Sequence, residues 1–85
     1  MDARAGRVAR REVAIEGEFI NLDALLKWAG LAATGGEAKA AVQAGHVRVN
    51  GAVETRRTRK IRVGDLVDYR GAAIRVTATA PGGVD

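Results

Sequence analysis

Cysteine and serine are both absent from this chain of 85 residues, and histidine occurs once, at His46. Without cysteine, the chain can form neither a disulfide nor a thiolate metal site. The same absences remove the usual nucleophiles, and one histidine leaves little for acid–base catalysis near neutral pH. His46 also has no acidic partners at metal-ligand spacing. We therefore expect a protein that is not an enzyme and that has no cofactor, metal or small-molecule substrate.

Long apolar runs are missing as well. No stretch approaches the roughly 20 residues needed to cross a bilayer, and residues 1–18 lack the apolar centre of a secretory signal. We therefore expect no membrane association and a cytoplasmic location. Aromatic residues make up 4 % of the chain against 47 % hydrophobic residues in total, so the core must be small and aliphatic. These proportions predict one compact folded domain, with a monomer as the default state.

The two ends of the chain differ in composition from its middle. Residues 1–11 are rich in arginine and alanine with little periodicity, and we interpret them as a flexible basic arm. The arm either folds against a partner or serves only as a solubilising tail. Residues 79–85 contain the only proline and read as a flexible C-terminal tail. A single domain is therefore expected over residues 12–78.

Positive charge is concentrated in the second half of the chain. From residue 39 to residue 62 there are seven basic residues and one acidic residue, so this segment carries +6, whereas the whole chain carries +4. The basic residues are Lys39, Arg48, Arg56, Arg57, Arg59, Lys60 and Arg62. Such a concentration is typical of a surface that neutralises phosphates, although a run of charge can also be only a solvated face.

An apolar stripe with helical spacing follows the first strand. Its members at i, i+3, i+4 and i+7 are Leu22, Leu25, Leu26 and Ala29. The stripe predicts a helix that starts near Asn21 and is ended by Gly30 in a left-handed conformation. Trp28 lies beside this stripe and is interpreted as a packing residue rather than a base-stacking one. Phe19 and Tyr69 are likewise assigned to the core.

A second helix is predicted from a capping box to about Ala44. Thr34 can accept a hydrogen bond from the amide of Glu37, and Glu37 can return one to the amide of Thr34. Gly35 and Gly36 leave the amides at the helix start open to a phosphate, which the helix dipole would favour. Alternatively, the two glycines only permit a tight path into the helix. Further along, Lys39 and Gln43 share a face that is open to solvent or a ligand.

After this helix the apolar period changes from 3.6 to 2. In residues 46–50 the valines point one way and the polar side chains the other, and Asn50-Gly51 predicts a type I′ hairpin. Residues 55–60 are too polar for a core and are predicted to be a loop or an edge strand, whose arginines can grip phosphates. Alternating apolar pairs predict further short strands around Val13 and Ile15, Ile61 and Val63, Val67 and Tyr69, and Ile74 and Val76.

Several of these blocks together resemble a known family. They are LDALL at residues 22–26, the capped helix from Thr34, GHVRVNG at residues 45–51 and VGD at residues 63–65. Over about residues 19–77 the chain is similar to the RNA-binding module first described in ribosomal small-subunit protein four. It is most similar to short, stand-alone bacterial members, which share the AVETRR-type basic segment. The resemblance implies an α+β fold of the αL type, with two helices packed on a small, mostly antiparallel β-sheet.

The resemblance also implies which residues contact RNA, since the module holds RNA along the second helix and the hairpin. Carried over by position, the contacts are Thr34, Gly35, Gly36, Lys39, Gln43, Arg48, Asn50 and Gly51, joined by Arg56, Arg57, Arg59 and Lys60. Many members have a Ser-Arg pair where this chain has Thr34-Gly35, so one arginine contact is absent. Other members are attached to pseudouridine synthases or aminoacyl-tRNA synthetases, and only their binding function is implied here.

The leading hypothesis is therefore a module that binds structured RNA, ribosomal or transfer RNA, in ribosome assembly or translation and in association with the ribosome. Two alternatives remain open. The basic face could instead dock an acidic protein, or the chain could bind DNA. DNA binding is less favoured, because Lys39 and Gln43 are the only long polar side chains with which the second helix could read base edges.

Overall fold

The computed structural model describes residues 9–79 and contains two helices and seven strands. The elements are β1 (Ala9–Ile15), β2 (Ile20–Asn21), α1 (Leu22–Trp28), α2 (Gly35–Gln43), β3 (Val47–Val49), β4 (Ala52–Val53), β5 (Lys60–Ile61), β6 (Leu66–Tyr69) and β7 (Ala72–Ala78). Five strands form one sheet in the order β1-β7-β6-β3-β4, and β2 pairs with β5 in a second, antiparallel sheet. Only the β1–β7 pair is parallel among these strands. The predicted α+β fold with a mostly antiparallel sheet is confirmed.

Helix α1 begins directly after β2 and is tied to a distant part of the chain. The side chain of Asn21, the capping residue, makes no capping hydrogen bond. Instead, the amide of Leu22 donates to the carbonyl of Arg59 at 2.9 Å and the amide of Asp23 to that of Arg57 at 3.0 Å. These bonds satisfy amides that a helix start would otherwise leave without partners. The start of α1 therefore holds residues 57–59 in place.

Helix α2 has the predicted cap with one difference. The Thr34 hydroxyl accepts from the amide of Glu37 at 3.1 Å, as expected. The Glu37 carboxylate, however, accepts from the amide of Ala33 at 2.9 Å and not from that of Thr34. The prediction was wrong by one residue, since the carboxylate reaches past the capping residue to the amide before it. The two hydrogen bonds still join residues 33 and 34 to Glu37 in both directions, as in a capping box.

The predicted hairpin between β3 and β4 is confirmed. Asn50 and Gly51 both have positive φ, at 52° and 87°, as a type I′ turn requires. Val47 and Val49 are buried while Arg48 is exposed, so the side chains of β3 alternate as expected. The hairpin places the following loop, residues 54–59, beside the start of α1.

One aliphatic core joins the larger sheet to both helices. Its fully buried members include Leu22, Leu25, Leu26, Val42, Val47, Ile61, Val67, Ile74 and Val76. Tyr69 is buried as predicted, but the assignment of Phe19 and Trp28 to the core was wrong, because they are 42 % and 70 % exposed. Trp28 is one position off the buried stripe of α1, and Phe19 precedes Ile20, whose pairing with buried Ile61 directs Phe19 outward.

Strand β1 begins earlier than the sequence pattern indicates. It pairs with β7 from Ala9 onward. Residues 9–11 therefore belong to the sheet and not to the flexible basic arm that the sequence predicts. The rest of that arm, and the tail after residue 79, lie outside the described residues. Within residues 9–79, no helix has the length and apolar character needed to cross a membrane, and no three acidic or histidine side chains come together at a position that could hold a metal ion.

Candidate nucleic-acid interface

Residues 54–59, here called the arginine loop, are organised around one carboxylate. Glu54 accepts hydrogen bonds from the amides of Thr55 and Arg56, at 3.1 and 3.0 Å, and from the Arg59 guanidinium at 2.7 Å. The amide of Arg56 and then the Arg59 guanidinium lower the pKa of the Glu54 carboxyl below its ordinary value. Glu54 is therefore ionised at neutral pH and closes the loop on itself.

The arginine loop is also fixed to α1. Arg57 donates to the Asp23 carboxylate at 3.2 Å, next to the two backbone bonds between the loop and the helix start. The guanidinium groups of Arg57 and Arg59 are thus each paired with a carboxylate. Both residues were predicted to contact RNA, and the structure gives both a role in shaping the loop. Arg56 also forms an ion pair with Glu54, at 3.5 Å, but its side chain is 73 % exposed.

Beside the loop lies an open hollow of about 550 Å³, here called the basic depression. It is lined by Arg56, Thr58, Arg59, Lys60, Arg62 and Asp65. Four cationic groups and one acidic group give these side chains a net charge of +3. Asp65 is held by the amide of Arg62 at 2.8 Å and by the side-chain amide of Asn50 at 3.1 Å. The depression therefore gathers positive charge from the loop and from residues 60–62 onto one surface.

The start of α2 is open to solvent, as predicted. Thr34, Gly35 and Gly36 are all exposed. A methyl group added to Gly35 would meet nothing within 4 Å, and one added to Gly36 would meet only the Thr34 hydroxyl at 3.9 Å. Neither glycine has positive φ. Packing and backbone conformation therefore do not require glycine at either position, and the helix start is sterically open to a ligand.

The remaining predicted contacts lie on α2 and on the hairpin. Lys39 and Gln43 are exposed on α2. Arg48 is exposed on β3 and stands opposite Asp68 of β6. Gly51 is exposed at the tip of the turn. Asn50 serves the fold, because its side chain also accepts from the amide of Leu66 at 3.0 Å.

The structure divides the predicted contacts into two main groups. Arg56, Arg59 and Lys60 come together in the basic depression, which adjoins the N-terminal end of α1. Thr34 and Gly35 instead follow the C-terminal end of α1, a helix of seven residues and about 10 Å. The two groups are therefore linked to opposite ends of α1, one by hydrogen bonds and the other through the chain.

Three further side chains, Arg62, Phe19 and Trp28, were absent from the predicted contacts. Arg62 lines the basic depression. Its guanidinium carbon is 6.0 Å from the centre of the Phe19 ring, and the Lys60 ammonium is 5.0 Å from the same centre. Trp28 is the third, as the most exposed of the large hydrophobic residues described. The alternation around buried Ile61 indicates that Lys60 and Arg62 share a face, whereas no local pattern indicates the positions of Phe19 and Trp28.

Comparison with known proteins assigns this fold to a family. The family described as S4 domain matches residues 13–77. The chain belongs to the S4 domain family. The S4 match spans every helix and strand described above except the first residues of β1 and the last residue of β7.

Two relatives of this S4 domain chain are both named YbcJ. The protein from Escherichia coli (strain K12) is 42 % identical over 59 residues, which cover 69 % of this chain and 84 % of the relative. The protein from Shigella flexneri matches with the same identity and coverage. The solution structure of YbcJ from E. coli superposes with a TM-score of 0.59 at 36 % identity, covering 92 % of this chain and 98 % of YbcJ. That structure is described as revealing an αL motif involved in RNA binding.

Proposed function

We propose that this S4 domain chain binds structured RNA, ribosomal or transfer RNA, and acts in ribosome assembly or translation. The observation that carries the proposal is the basic depression, where Arg56, Arg59, Lys60 and Arg62 surround one acidic side chain. A charge of +3 on so small a surface suits the closely spaced phosphates of folded RNA and would release their counterions. The RNA-binding motif described for YbcJ supports the same function.

The two groups of predicted contacts have different roles in this proposal. Arg56, Lys60 and Arg62 contact phosphates at one end of α1, while the amides of Gly35 and Gly36 receive a phosphate at the other. Phosphate contacts position a protein on RNA, and their fixed spacing on a rigid frame selects RNA by shape. Lys39 and Gln43, exposed further along α2, add contacts on that helix. The chain acts as a binding module, not as an enzyme, and works as a monomer in the cytoplasm.

The proposal is tested with the double variant Arg56→Gln, Lys60→Gln. Both side chains are exposed, and the variant keeps the shorter bonds that Arg57 and Arg59 donate to Asp23 and Glu54. It loses the 3.5 Å ion pair of Arg56 with Glu54. Binding to transfer RNA and to ribosomal RNA fragments is titrated at several salt concentrations. Loss of two phosphate contacts should weaken binding and reduce the slope of log K against log salt by about 1.4 to 1.8. Unchanged affinity and slope would contradict the proposal.

A matched control separates the basic depression from net charge. The double variant Arg10→Gln, Arg70→Asn also removes two positive charges, one from β1 and one from the β6–β7 turn. Both positions lie outside the basic depression. It should change affinity and slope much less. Equal losses in both double variants would indicate that only the overall charge attracts RNA.

Crosslinking in cells identifies the RNA. We expect one region of ribosomal or transfer RNA to dominate the RNA recovered with the wild-type protein and to be lost with Arg56→Gln, Lys60→Gln. Recovered RNA that only mirrors cellular abundance would contradict specific binding. A partner that survives nuclease treatment would instead favour docking of an acidic protein.

A further inference from the structure

An open groove on the surface is lined by the two aromatic side chains that the core does not use. It has a volume of about 330 Å³, and Phe19 and Trp28 face it together with Ile15 and Ile20. We name it the aromatic groove. The two exposed rings give the groove an apolar surface that core packing does not use.

The aromatic groove adjoins the basic depression through the contacts of Phe19 with two cations. Phe19 lines the groove, and the Lys60 ammonium and Arg62 guanidinium lie 5.0 and 6.0 Å from the centre of its ring. The same two cations line the basic depression. The pairing of β2 with β5 fixes this arrangement, since Asn21 stands opposite Lys60. Positive charge for phosphates and aromatic surface for bases therefore meet at Phe19.

The groove is bordered by residues from both ends of α1. Phe19 precedes the start of α1, and Trp28 is the last residue of that helix. The groove therefore joins a residue that precedes α1 to the last residue of that helix, beside the ends of β1 and β7. Glu16 also borders the groove, and its carboxylate would repel a phosphate there. The charges thus favour a base inside the groove with its phosphates on the Lys60 side.

We propose that the aromatic groove receives an unpaired base of the bound RNA, which stacks on the Trp28 indole while Lys60 and Arg62 hold the flanking phosphates. Stacking of splayed-out bases on aromatic side chains is a general way in which proteins recognise single-stranded parts of RNA. The inference rests on the proposed function and adds the class of RNA: a structured element with an unpaired nucleotide next to a stem.

The test uses a stem with a short single-stranded tail that carries either normal bases or abasic residues. Both RNAs have the same number of phosphates. Wild-type protein should bind the tail with bases about tenfold more tightly, and Trp28→Ala should lose this preference while still binding the stem. Trp28 is the only tryptophan, so its fluorescence reports the stack directly. We expect strong quenching by the tail with bases and little by the abasic one.

Two variants serve as controls. Val53→Ala removes another exposed apolar side chain, on β4 and outside the groove, and should leave the preference unchanged. Trp28→Phe keeps a flat ring and should retain most of the preference.

The outcomes separate this inference from the proposed function. Equal affinity for both tails with unchanged fluorescence would overturn the stacking inference while RNA binding stands. Failure to bind either RNA would overturn the proposed function as well. Self-association in sedimentation that Trp28→Ala abolishes would overturn the inference too, because the groove would then be an interface between two copies.

Discussion

At the scale of single residues, Glu54 is the carboxylate on which the arginine loop depends. Its side chain is 12 % exposed and accepts hydrogen bonds from two backbone amides and from Arg59. A carboxylate that is mostly out of solvent and accepts several hydrogen bonds is stabilised in its ionised form. One acidic residue inside the basic segment thus sets the shape of the surface that carries the charge.

This geometry predicts how stability depends on pH. The pKa of the Glu54 carboxyl is lowered from its ordinary value of 4.5, first by the amide of Arg56 and then by Arg59. Because the pKa in the folded state lies below that in the unfolded state, ionised Glu54 stabilises the fold above about pH 4.5. This contribution is lost as pH falls through the pKa of the folded state.

We therefore expect Glu54→Gln to lower the free energy of unfolding by about 1 to 2 kcal/mol at neutral pH. The difference from wild type should shrink as the solution is acidified below pH 4.5, because protonated glutamate then resembles glutamine. Urea denaturation over a pH series measures both quantities. A difference that stays constant across the series would show that ionisation of Glu54 contributes nothing.

At the scale of elements, the start of α2 is where the resemblance implies a departure from many S4 members. Thr34 caps the helix as its pattern predicts, but Gly35 stands where the resemblance implies an arginine in many S4 members. A methyl group added to Gly35 would meet nothing within 4 Å, so the position has room for a longer side chain. The helix start therefore offers amides to a phosphate without the cation that commonly accompanies them.

Gly35→Arg should consequently strengthen RNA binding. One added phosphate contact is expected to raise the affinity severalfold at low salt and to steepen the salt slope by about 0.7 to 0.9. The matched control is Gly35→Gln, which has similar length and hydrogen-bonding capacity without the charge and should leave the slope unchanged. If Gly35→Arg left both affinity and slope at wild-type values, RNA would not approach the start of α2.

At the scale of the whole molecule, two sheets and two helices share one aliphatic core. Strand β7 lies between β1 and β6, and its residue Ile74 is fully buried at the centre. The parallel pairing of β1 with β7 brings Val13 and Ile15 into the same cluster. A domain of this size buries a limited area, so each large core side chain contributes a substantial part of the stability.

Ile74→Ala is expected to lower the free energy of unfolding by about 2 to 4 kcal/mol, through lost burial and the cavity that remains. Val63→Ala removes a side chain that is 50 % exposed and should change stability by less than about 1 kcal/mol. Urea denaturation compares the two. Similar small losses in both variants would mean that the core around β7 is not closely packed.

Local pattern alone was sufficient for most of the elements. The stripe of α1, the cap at Thr34 and the turn at Asn50 each depend on residues within a few positions of one another, so their physics is contained in a short window of sequence. The concentration of positive charge from Lys39 to Arg62 is likewise a property of the sequence itself. The resemblance to the S4 family added that the two helices pack on a small, mostly antiparallel sheet.

Tertiary structure alone decided which side chains remain free to bind. Arg57 is paired with Asp23, which lies 34 residues earlier. The side-chain amide of Asn50 donates to Asp65, which lies 15 residues later. No local window contains both partners, so charge and polarity in the sequence could not separate residues that hold the fold from residues that face solvent. The exposure of Phe19 and Trp28 has the same origin, because a side chain is buried only where another element covers it, and that depends on how β2, β5 and α1 come together.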